Sequence, residues 1–583
     1  MASTEILPTT AAAHKGYVNV ADRLAQMAER MPLAVAVACP GHGDVAGRHS
    51  YDTCTFAELE RDATALARGL VDLGVTPGIR LVLLVKPGIE FVKLVFALLR
   101  SGATAVLIDP GMGKRHLVNC LAAVEPQGFV AISLAQAVRT VLRSRFPKAK
   151  LNVTVGRRWF WGGMTYRRLL AEGQNSGAHL PQMRAADPAA IIFTSGSTGP
   201  PKGVLYTHQI FETQVTEIQR EYDLQPGGAD LACFALFGLF NSALGVTTVF
   251  PTMDFSRPAS ANPRKLLDAA SDWQVTQAFA SPAVWNKLSS YCQSQGEQIP
   301  TLRKIFSCGA PVSTEILRRT LSICDAFAEM HTPYGATESL PVATIAASEV
   351  LAETAEQTAQ GAGVCVGKKF ESIEWRIIRI ADEAIPTIAD TEELPVGDIG
   401  ELIVRGPQVS PLYISGDSAK HNALAKIANE RAGASSPPIN PWHRMGDVGY
   451  LDAQGRFWYC GRKNHRVETS CGTLFTECVE AVFNSHPLVE RTALVGIGRR
   501  GSQMPVLFFD TKQIGSSNSK AQAITFEQIQ RILQDFSEIA SLHDLAINVF
   551  VRHDNFPVDV RHNSKINREQ LAKTFEHATF VDP

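Results

Sequence analysis

The sequence lacks a surplus of either charge. Its 583 residues include 56 Lys and Arg against 57 Asp and Glu, which gives a formal net charge of −1. Proteins that bind nucleic acid or an anionic membrane through their overall charge carry a basic excess, so this balance predicts neither partner. With 45% apolar and 19% charged residues, the composition is that of a globular chain long enough for two or more domains.

The eleven cysteines lack the spacings that indicate a disulfide framework or a zinc site. No C-x-x-C pair and no Cys/His metal spacing occurs, and the number of cysteines is odd. We therefore expect reduced, mostly buried thiols in a cytoplasmic protein. The first residues, MASTEILPTTAAAHKGY, have no charged-then-apolar signal pattern, and from them we expect no export.

A membrane-spanning pattern is also missing. The longest uncharged run, LACFALFGLFNSALGVTTVFPTM, lies between Asp230 and Asp254. Gly, Asn, Ser, Thr and Pro interrupt it, and acids rather than Lys or Arg flank it, which argues against a span. We interpret the run as interior helix and strand. Its aromatic side chains either pack in the core or line an apolar ligand tunnel.

The most informative stretch is AIIFTSGSTGPPKGV, residues 190–204, in which an apolar run leads into a Gly/Ser/Thr/Pro/Lys loop. This pattern is typical of a buried strand that delivers a phosphate-binding loop. Glycines let the backbone approach an anion, hydroxyls donate hydrogen bonds, and the lysine adds a mobile positive charge. The predicted nucleotide contacts here are Thr194, Ser195, Gly196, Ser197, Thr198, Gly199 and Lys202.

Two other interpretations of this loop are weaker. A Walker A motif needs Gly-Lys followed by Ser or Thr, whereas here two prolines precede Lys202 and Gly203 follows it. A flexible linker would rarely follow a strand-like run or contain Pro-Pro-Lys. The run TSGSTGPPKG resembles the phosphate loop of the adenylate-forming superfamily, which contains acyl-CoA synthetases, peptide-synthetase adenylation domains and luciferases.

The chain before and after this loop alternates between strand and helix patterns. Thr55 and Glu58 form a capping box ahead of an amphipathic helix, and apolar runs at 81–85, 104–108 and 129–132 alternate with helix patterns. A second unit of this kind follows the loop, which indicates doubly wound parallel sheets. Resemblance over nearly the whole chain implies an α/β fold: a large N-terminal domain, 1–463, of two doubly wound sheets plus a barrel-like subdomain, and a small mobile α+β C-terminal domain, 464–583.

Two further stretches fit adenylate chemistry. In IFSCGAPVS, Gly309, Ala310 and Pro311 form a small-residue turn that leaves room for a flat ring, although an ordinary strand-to-helix turn would look the same. In HTPYGATES, residues 331–339, the tyrosine offers an aromatic face for a purine and the carboxylate can hold a hard cation. Alone, this second run would more often be a surface turn. Its predicted site residues are Tyr334, Gly335, Thr337 and Glu338, with Glu338 the metal ligand.

The third stretch is WHRMGDVGYLDAQGRFWYCGRKNHRVE, residues 442–468. Asp447 can accept hydrogen bonds from a ribose diol, and Arg462 can reach a ribose or a phosphate, although a solvated turn is the plainer interpretation of each. The family usually has Tyr-x-Thr-Gly-Asp, Gly-Arg and then an Asp or Lys hinge. His443-Arg444-Met445 and Asn464 depart from that pattern, which leaves the amplitude of domain rotation open.

The last part of the chain ends in FPVDVRHNSKINREQL, residues 556–571. In the family, a lysine of a similar loop reaches the reacting carboxylate, and Lys565 occupies that place. The loop has two residues more between proline and lysine, and Ser564 replaces a glycine. A lone C-terminal lysine is usually solvated surface, so the catalytic assignment of Lys565, together with Glu338 and Thr337, comes from the resemblance.

The resemblance implies adenylation of a carboxylate with ATP and Mg²⁺. FALFGLFNSALG, HTPYGATESLP and PVDVRHNSKINRE are most similar to the olefin-biosynthesis β-lactone synthetases, in which the 3-hydroxyl of a long-chain acid attacks the adenylate. That branch implies an assembly with thiolase-like, reductase and decarboxylase partners. A long-chain acyl-CoA ligase and a non-catalytic nucleotide sensor are the alternatives, and a serine hydrolase is disfavoured because no G-x-S-x-G elbow occurs.

Overall fold

The structure is a computed structural model that describes residues 16–45, 48–109, 112–193, 201–414, 416–430, 440–512, 524–554, 556–558 and 566–577. The strands are β1 (Val35–Val45), β2 (Arg48–Thr55), β3 (Arg80–Leu84), β4 (Thr104–Leu107), β5 (Gly128–Ile132), β6 (Leu151–Val155), β7 (Met164–Thr165), β8 (Pro188–Phe193), β9 (Gly203–Thr207), β10 (Ala229–Ala232), β11 (Thr247–Val249), β12 (Gln277–Ala280), β13 (Lys304–Ser307), β14 (Glu329–His331), β15 (Tyr334–Ala336), β16 (Ser339–Thr344), β17 (Val364–Lys369), β18 (Glu374–Ile378), β19 (Gly400–Arg405), β20 (Lys426–Ile427), β21 (Trp442–Leu451), β22 (Phe457–Arg462), β23 (Val467–Thr469), β24 (Gly472–Leu474), β25 (Val489–Ile497), β26 (Met504–Thr511) and β27 (Val549–Arg552).

The helices are α1 (Ala21–Arg30), α2 (Phe56–Asp72), α3 (Ile89–Arg100), α4 (Lys114–Ala123), α5 (Ser133–Val141), α6 (Tyr166–Gln174), α7 (His208–Glu221), α8 (Phe237–Leu244), α9 (Pro263–Asp272), α10 (Pro282–Gln295), α11 (Thr314–Ser322), α12 (Ala347–Glu349), α13 (Ala355–Ala359), α14 (Ser418–Ala425), α15 (Thr476–Asn484), α16 (Phe526–Leu542) and α17 (Arg568–His577).

The first sheet has the strand order β7-β6-β5-β3-β4-β8-β9 and is parallel up to β8, as the alternating pattern predicts. The predicted capping box of α2 is present, because the Thr55 hydroxyl accepts from the Glu58 amide and the Glu58 carboxylate accepts from the Thr55 amide. Strand β9 was not predicted. It runs antiparallel to β8 as the return arm of a hairpin, with Phe193 opposite Gly203.

The second sheet has the order β14-β13-β12-β10-β11-β1-β2, and only β1 and β2 pair in antiparallel fashion. The uncharged run between Asp230 and Asp254 forms β10, α8 and β11, which confirms the prediction of interior helix and strand. Across the described ranges, no helix is both long and apolar enough to cross a membrane. One apolar core joins α2, α3, α7 and α8 to both parallel sheets.

The third sheet corresponds to the part of the chain predicted to be barrel-like. Its strands pair antiparallel in the order β15-β16-β17-β22-β21-β19-β18, and β20 adds to β21. An isolated bridge joins Val204 of β9 to Tyr413, and another joins Ser339 of β16 to Val409. This sheet therefore lies beside the hairpin that carries the predicted phosphate loop.

The C-terminal part has a three-stranded sheet, β25-β26-β27, a separate β23-β24 hairpin and the helices α15 to α17. The fold is thus mixed α/β, with a large N-terminal domain and a smaller C-terminal domain. The predicted boundary after residue 463 falls where β22 ends, and it stays a prediction. All eleven cysteines are free thiols and six of them are buried, as predicted.

Candidate active site

The predicted nucleotide-binding residues converge on one large cleft. Its volume is about 3440 Å³, and its walls come from the ends of strands in all three large sheets and from the C-terminal domain. Thr194 to Gly199 lie outside the described residues. The strands that hold this loop are described, and their pairing brings the two ends of the loop together at Phe193 and Gly203. The remaining predicted residues that line the cleft are Lys202, Gly309, Ala310, Pro311, Tyr334, Gly335, Thr337, Glu338, Asp447 and Arg462.

Tyr334 and Asp447 are in direct contact at one wall of the cleft. The Tyr334 hydroxyl donates a hydrogen bond to Oδ2 of Asp447, and Nη1 of Arg462 lies 2.9 Å from Oδ1 of the same carboxylate. Strand register explains the second contact, because Asp447 of β21 is paired with Arg462 of β22. Burial and the neighbouring Asp447 raise the pKa of Tyr334 well above its usual value. The three predicted residues therefore form one cluster.

Gly335 is required by the turn between β15 and β16. A Cβ at this position would lie 2.7 Å from the carbonyl oxygen of Ser339, which is closer than side chains approach. The tight turn places Thr337 and Glu338 on the cleft. Their backbone is held from outside the turn, because the Tyr206 hydroxyl donates to the Thr337 carbonyl at 2.7 Å and the Ser410 amide donates to the Glu338 carbonyl at 2.8 Å.

Glu338 has an aromatic partner that the sequence did not reveal. The Tyr413 hydroxyl donates to Oε1 of Glu338 at 2.8 Å. Nζ of Lys202 lies 5.2 Å from the centre of the Tyr413 ring, and Nζ of Lys426 lies 5.7 Å from it. Burial lowers the pKa of Lys426 to about 7, although the Glu338 charge opposes the shift. Tyr413 and Lys426 lie in segments without a recognisable motif, so only their three-dimensional neighbours identify them.

The turn at Gly309 follows β13, and Gly309 adopts a φ of +98°, which favours glycine. Gly309, Ala310 and Pro311 are all at least partly exposed on the cleft wall. The prediction that this turn leaves room for a flat ring stays a prediction.

We call the part of the cleft that is lined by aromatic side chains near α8 its apolar branch. It is lined by aromatic side chains of the uncharged run and of the neighbouring strands, and Phe279 stacks on Phe306 with ring centres 6.4 Å apart. The Tyr222 ring contacts the Phe306 ring edge-on, with ring centres 4.7 Å apart. Phe234, Phe240 and Phe250 of this run line the cleft, and Phe240 and Phe250 also belong to the apolar core.

Lys565 lies outside the described residues, but both ends of its loop are described. Val558 and Ile566 form an antiparallel bridge, and Ile566 and Arg568 line the cleft. Nη2 of Arg568 is 2.7 Å from Oε1 of the buried Glu480. Burial and the nearby Glu480 raise the pKa of Glu477 to about 7. No sequence motif indicated that Glu477 and Glu480 lie at the cleft.

Arg444, which stands between two residues that depart from the family pattern, has a buried ion-pair partner. The Arg444 guanidinium is buried and pairs with the buried Glu401 at 2.6 Å, and Lys463 reaches the same carboxylate at 3.2 Å. Beside them, Asp382 lies 2.7 Å from Arg466 and 2.8 Å from Arg500. These ion pairs tie a loop of the large domain to residues on both sides of the predicted hinge at Asn464.

Known proteins resemble this chain over most of its length. Residues 24–414, about two thirds of the chain, match the AMP-binding enzyme family. The chain is 45% identical over 555 residues to an olefin beta-lactone synthetase of Xanthomonas campestris pv. campestris, covering 95% of this chain and 97% of that protein. It is 43% identical over 556 residues to an olefin beta-lactone synthetase of Stenotrophomonas maltophilia, with the same coverage.

Among solved structures, the anthranilate CoA ligase AuaEII in complex with anthranoyl-AMP has a TM-score of 0.73 at 17% identity, covering 97% of this chain and 99% of that one. At that identity the similarity concerns the fold alone. The assignment to a family rests on the family match over most of the chain and on the two relatives above 40% identity. The protein belongs to the AMP-binding enzyme family.

Proposed function

We propose that this protein is an AMP-forming ligase that adenylates a long-chain 3-hydroxy acid and closes it to a β-lactone, with release of pyrophosphate and AMP. The observation that carries the proposal is the continuity of the cleft. It joins the Tyr334, Asp447 and Arg462 cluster and Glu338 to the aromatic branch beside α8. The two relatives described as olefin beta-lactone synthetases support this choice of second step.

In the first step, the acyl carboxylate attacks the α-phosphate of ATP and pyrophosphate leaves. Asp447 and Arg462 bind the ribose, the Gly309 turn and Tyr334 enclose the purine, and Lys202 with the loop 194–199 holds the phosphates. Positive charge fixed near the reacting phosphate stabilises the charge that develops in the transition state. We assign that role to Lys565, because the adjoining Ile566 and Arg568 line the cleft.

Glu338 and Thr337 fit a Mg²⁺ ion. Both line the cleft with hard oxygen donors, and in the described parts of the chain no three His, Cys, Asp or Glu side chains are grouped to hold a metal by themselves. Mg²⁺ commonly binds through one or two carboxylates together with substrate phosphates, which agrees with a single acidic ligand. When bound, the ion neutralises charge on the phosphates and on leaving pyrophosphate.

In the second step, the 3-hydroxyl oxygen of the same molecule attacks the activated carbonyl. The new C–O bond closes the four-membered ring, the carbonyl-to-phosphate bond breaks, AMP leaves and the hydroxyl proton is released. An attacking group in the same molecule has a very high effective concentration, which helps to offset ring strain. The apolar walls of the branch beside α8 keep water from the adenylate.

The test is product analysis with ATP, Mg²⁺ and a long-chain 3-hydroxy acid, with and without CoA. We expect lactone, AMP and pyrophosphate in both cases. Formation of a thioester only when CoA is present would replace this function with a long-chain acyl-CoA ligase. No carboxylate-dependent pyrophosphate release with any chain length would instead leave a nucleotide-binding sensor. We also propose that the protein works in an assembly with other olefin-biosynthesis enzymes.

A further inference from the structure

Exposed apolar side chains are concentrated on one side of the first sheet. Of the twelve large apolar residues that are exposed in the described parts of the chain, five lie between positions 134 and 160 and the other seven are scattered. We call these five the aromatic patch: Leu134 (70% exposed), Val138 (47%), Val141 (76%), Trp159 (63%) and Phe160 (75%). A group of exposed large apolar side chains, unlike single scattered ones, marks an interaction site.

The two halves of the aromatic patch leave the sheet at the same edge. Strands β5 and β6 pair in parallel with Ile132 opposite Val155, so α5 and the loop after β6 begin side by side. The Ser133 hydroxyl donates to the Arg157 carbonyl at 2.5 Å and joins the two segments directly. On α5, residues 134, 138 and 141 are spaced by four and three positions, which puts them on one helix face.

The loop after β6, which carries Trp159 and Phe160, is anchored by a buried side chain. Trp161 is buried, and its indole N–H donates to the Thr154 hydroxyl at 2.9 Å. The exposed rings pack on this anchor, with ring centres 5.6 Å apart for Trp159 and 5.2 Å apart for Phe160. Two large aromatic rings are therefore exposed to solvent while they pack against a buried, hydrogen-bonded tryptophan.

The segment of the chain that carries the patch has charge of one sign, in contrast to the near-zero charge of the whole chain. Residues 126–171 contain no Asp or Glu and nine basic residues: Arg139, Arg143, Arg145, Lys148, Lys150, Arg157, Arg158, Arg167 and Arg168. Of these, Lys148 and Arg168 pair with Glu125 and Glu172 at the margins. Arg143 and Arg157 are exposed and form no ion pair with another described residue. The whole-chain balance that predicted no footprint for an anionic membrane therefore hides a locally basic segment with exposed arginines.

We propose that the aromatic patch docks the protein on the surface of an anionic lipid bilayer. Trp and Phe side chains insert at the level of lipid headgroups, and arginines beside them are attracted to anionic lipids. A protein groove would need complementary acidic side chains and a matching pocket, whereas a bilayer accepts this combination without shape matching. Docking of this kind is peripheral and needs no spanning helix.

The proposal goes beyond the chemistry of the active site, but it has a consequence for substrate access. Leu134 and Val138 also line the large cleft. In a docked molecule the part of the cleft lined by Leu134 and Val138 faces the bilayer, and its use for substrate entry rests on the proposed long-chain acid.

Sedimentation with lipid vesicles tests the docking. We expect the full chain to bind vesicles containing phosphatidylglycerol and not vesicles of phosphatidylcholine alone. The double variant Trp159→Ala/Phe160→Ala and the double variant Arg143→Glu/Arg157→Glu should each weaken binding by roughly tenfold or more. Their melting temperatures should stay unchanged, because all four side chains are exposed.

Matched controls are Leu33→Ala/Phe327→Ala, which removes exposed apolar side chains elsewhere, and Lys265→Glu/Arg318→Glu, which changes the net charge equally. Neither should alter vesicle binding. Absence of binding, or equal loss in patch and control variants, overturns the proposal. A change of oligomeric state in the Trp159/Phe160 variant without vesicles would identify a protein contact instead. Pyrophosphate release with a short soluble acid should be equal in all variants, so failure of docking and failure of the proposed activity are separable.

Discussion

The hydroxyl of Tyr334 donates to the carboxylate of Asp447 across 113 positions of sequence, and it connects the predicted purine wall to the predicted ribose ligand. Arg462 lies on the other oxygen of the same carboxylate. Because three polar groups share one contact network, substituting them one at a time should distinguish the residue that binds the ribose from the residues that hold it in place. This relation leads to the first prediction.

Asp447→Asn should raise the KM for ATP by roughly tenfold or more, since a carboxylate accepts stronger hydrogen bonds from ribose hydroxyls than an amide does. Tyr334→Phe keeps the ring and the Asp447 carboxylate and should change the KM much less. Initial rates of pyrophosphate release over a range of ATP concentrations measure both. Equal KM values for wild type and Asp447→Asn would place the ribose elsewhere.

Glu338→Gln should lower kcat by roughly a hundredfold or more, because it removes the one carboxylate assigned to Mg²⁺. The control is Tyr413→Phe, which removes only the hydrogen bond to Glu338 and should cost far less. A titration of Mg²⁺ at saturating ATP distinguishes the two, since only Glu338→Gln should need more metal. If both variants show the same metal dependence, Glu338 is not the ligand.

Lys565→Ala should reduce adenylate formation by roughly a hundredfold or more while the melting temperature changes little. The matched control is Lys573→Ala, which removes an exposed lysine from α17 of the same domain. Single-turnover adenylate formation and thermal melting measure the two effects. A parallel loss of stability and activity in Lys565→Ala would indicate a structural lysine.

Asp230 provides a test by pH. Burial raises the pKa of this carboxyl to about 7, although Asn241 donates to it at 2.7 Å. The contribution of this carboxyl to the free energy of unfolding is therefore greatest below about pH 4. It decreases as pH rises from about 4 to about 7, by up to about 4 kcal/mol. Asp230→Asn stays neutral and still accepts from Asn241.

The melting temperature of Asp230→Asn relative to wild type should accordingly rise between pH 5 and pH 8. Asp398→Asn, at an exposed carboxyl, serves as the control and should show no such trend. A constant difference between Asp230→Asn and wild type across this range would mean that the buried carboxyl does not titrate there.

Local signals predicted much of the fold. The capping box at Thr55 and Glu58, the apolar strand that ends at Phe193 and the 3.6-residue spacing of α2 each depend on neighbouring residues, so sequence alone reveals them. Strand β9 escaped prediction because its direction depends on pairing with β8. Tyr413, Lys426 and Arg444 escaped for the same reason, since their partners Glu338 and Glu401 are distant in sequence. The roles of Thr194 to Gly199 and of Lys565 stay predictions.

The central claim is that the second step is intramolecular. The most direct measurement compares a long-chain 3-hydroxy acid with the same acid lacking the hydroxyl, each with ATP and Mg²⁺ and without CoA, and identifies products by mass spectrometry. The account predicts turnover to β-lactone with the first acid, and a stalled adenylate or slow hydrolysis with the second. Turnover of both acids only when CoA is added, with thioester as the product, would contradict it.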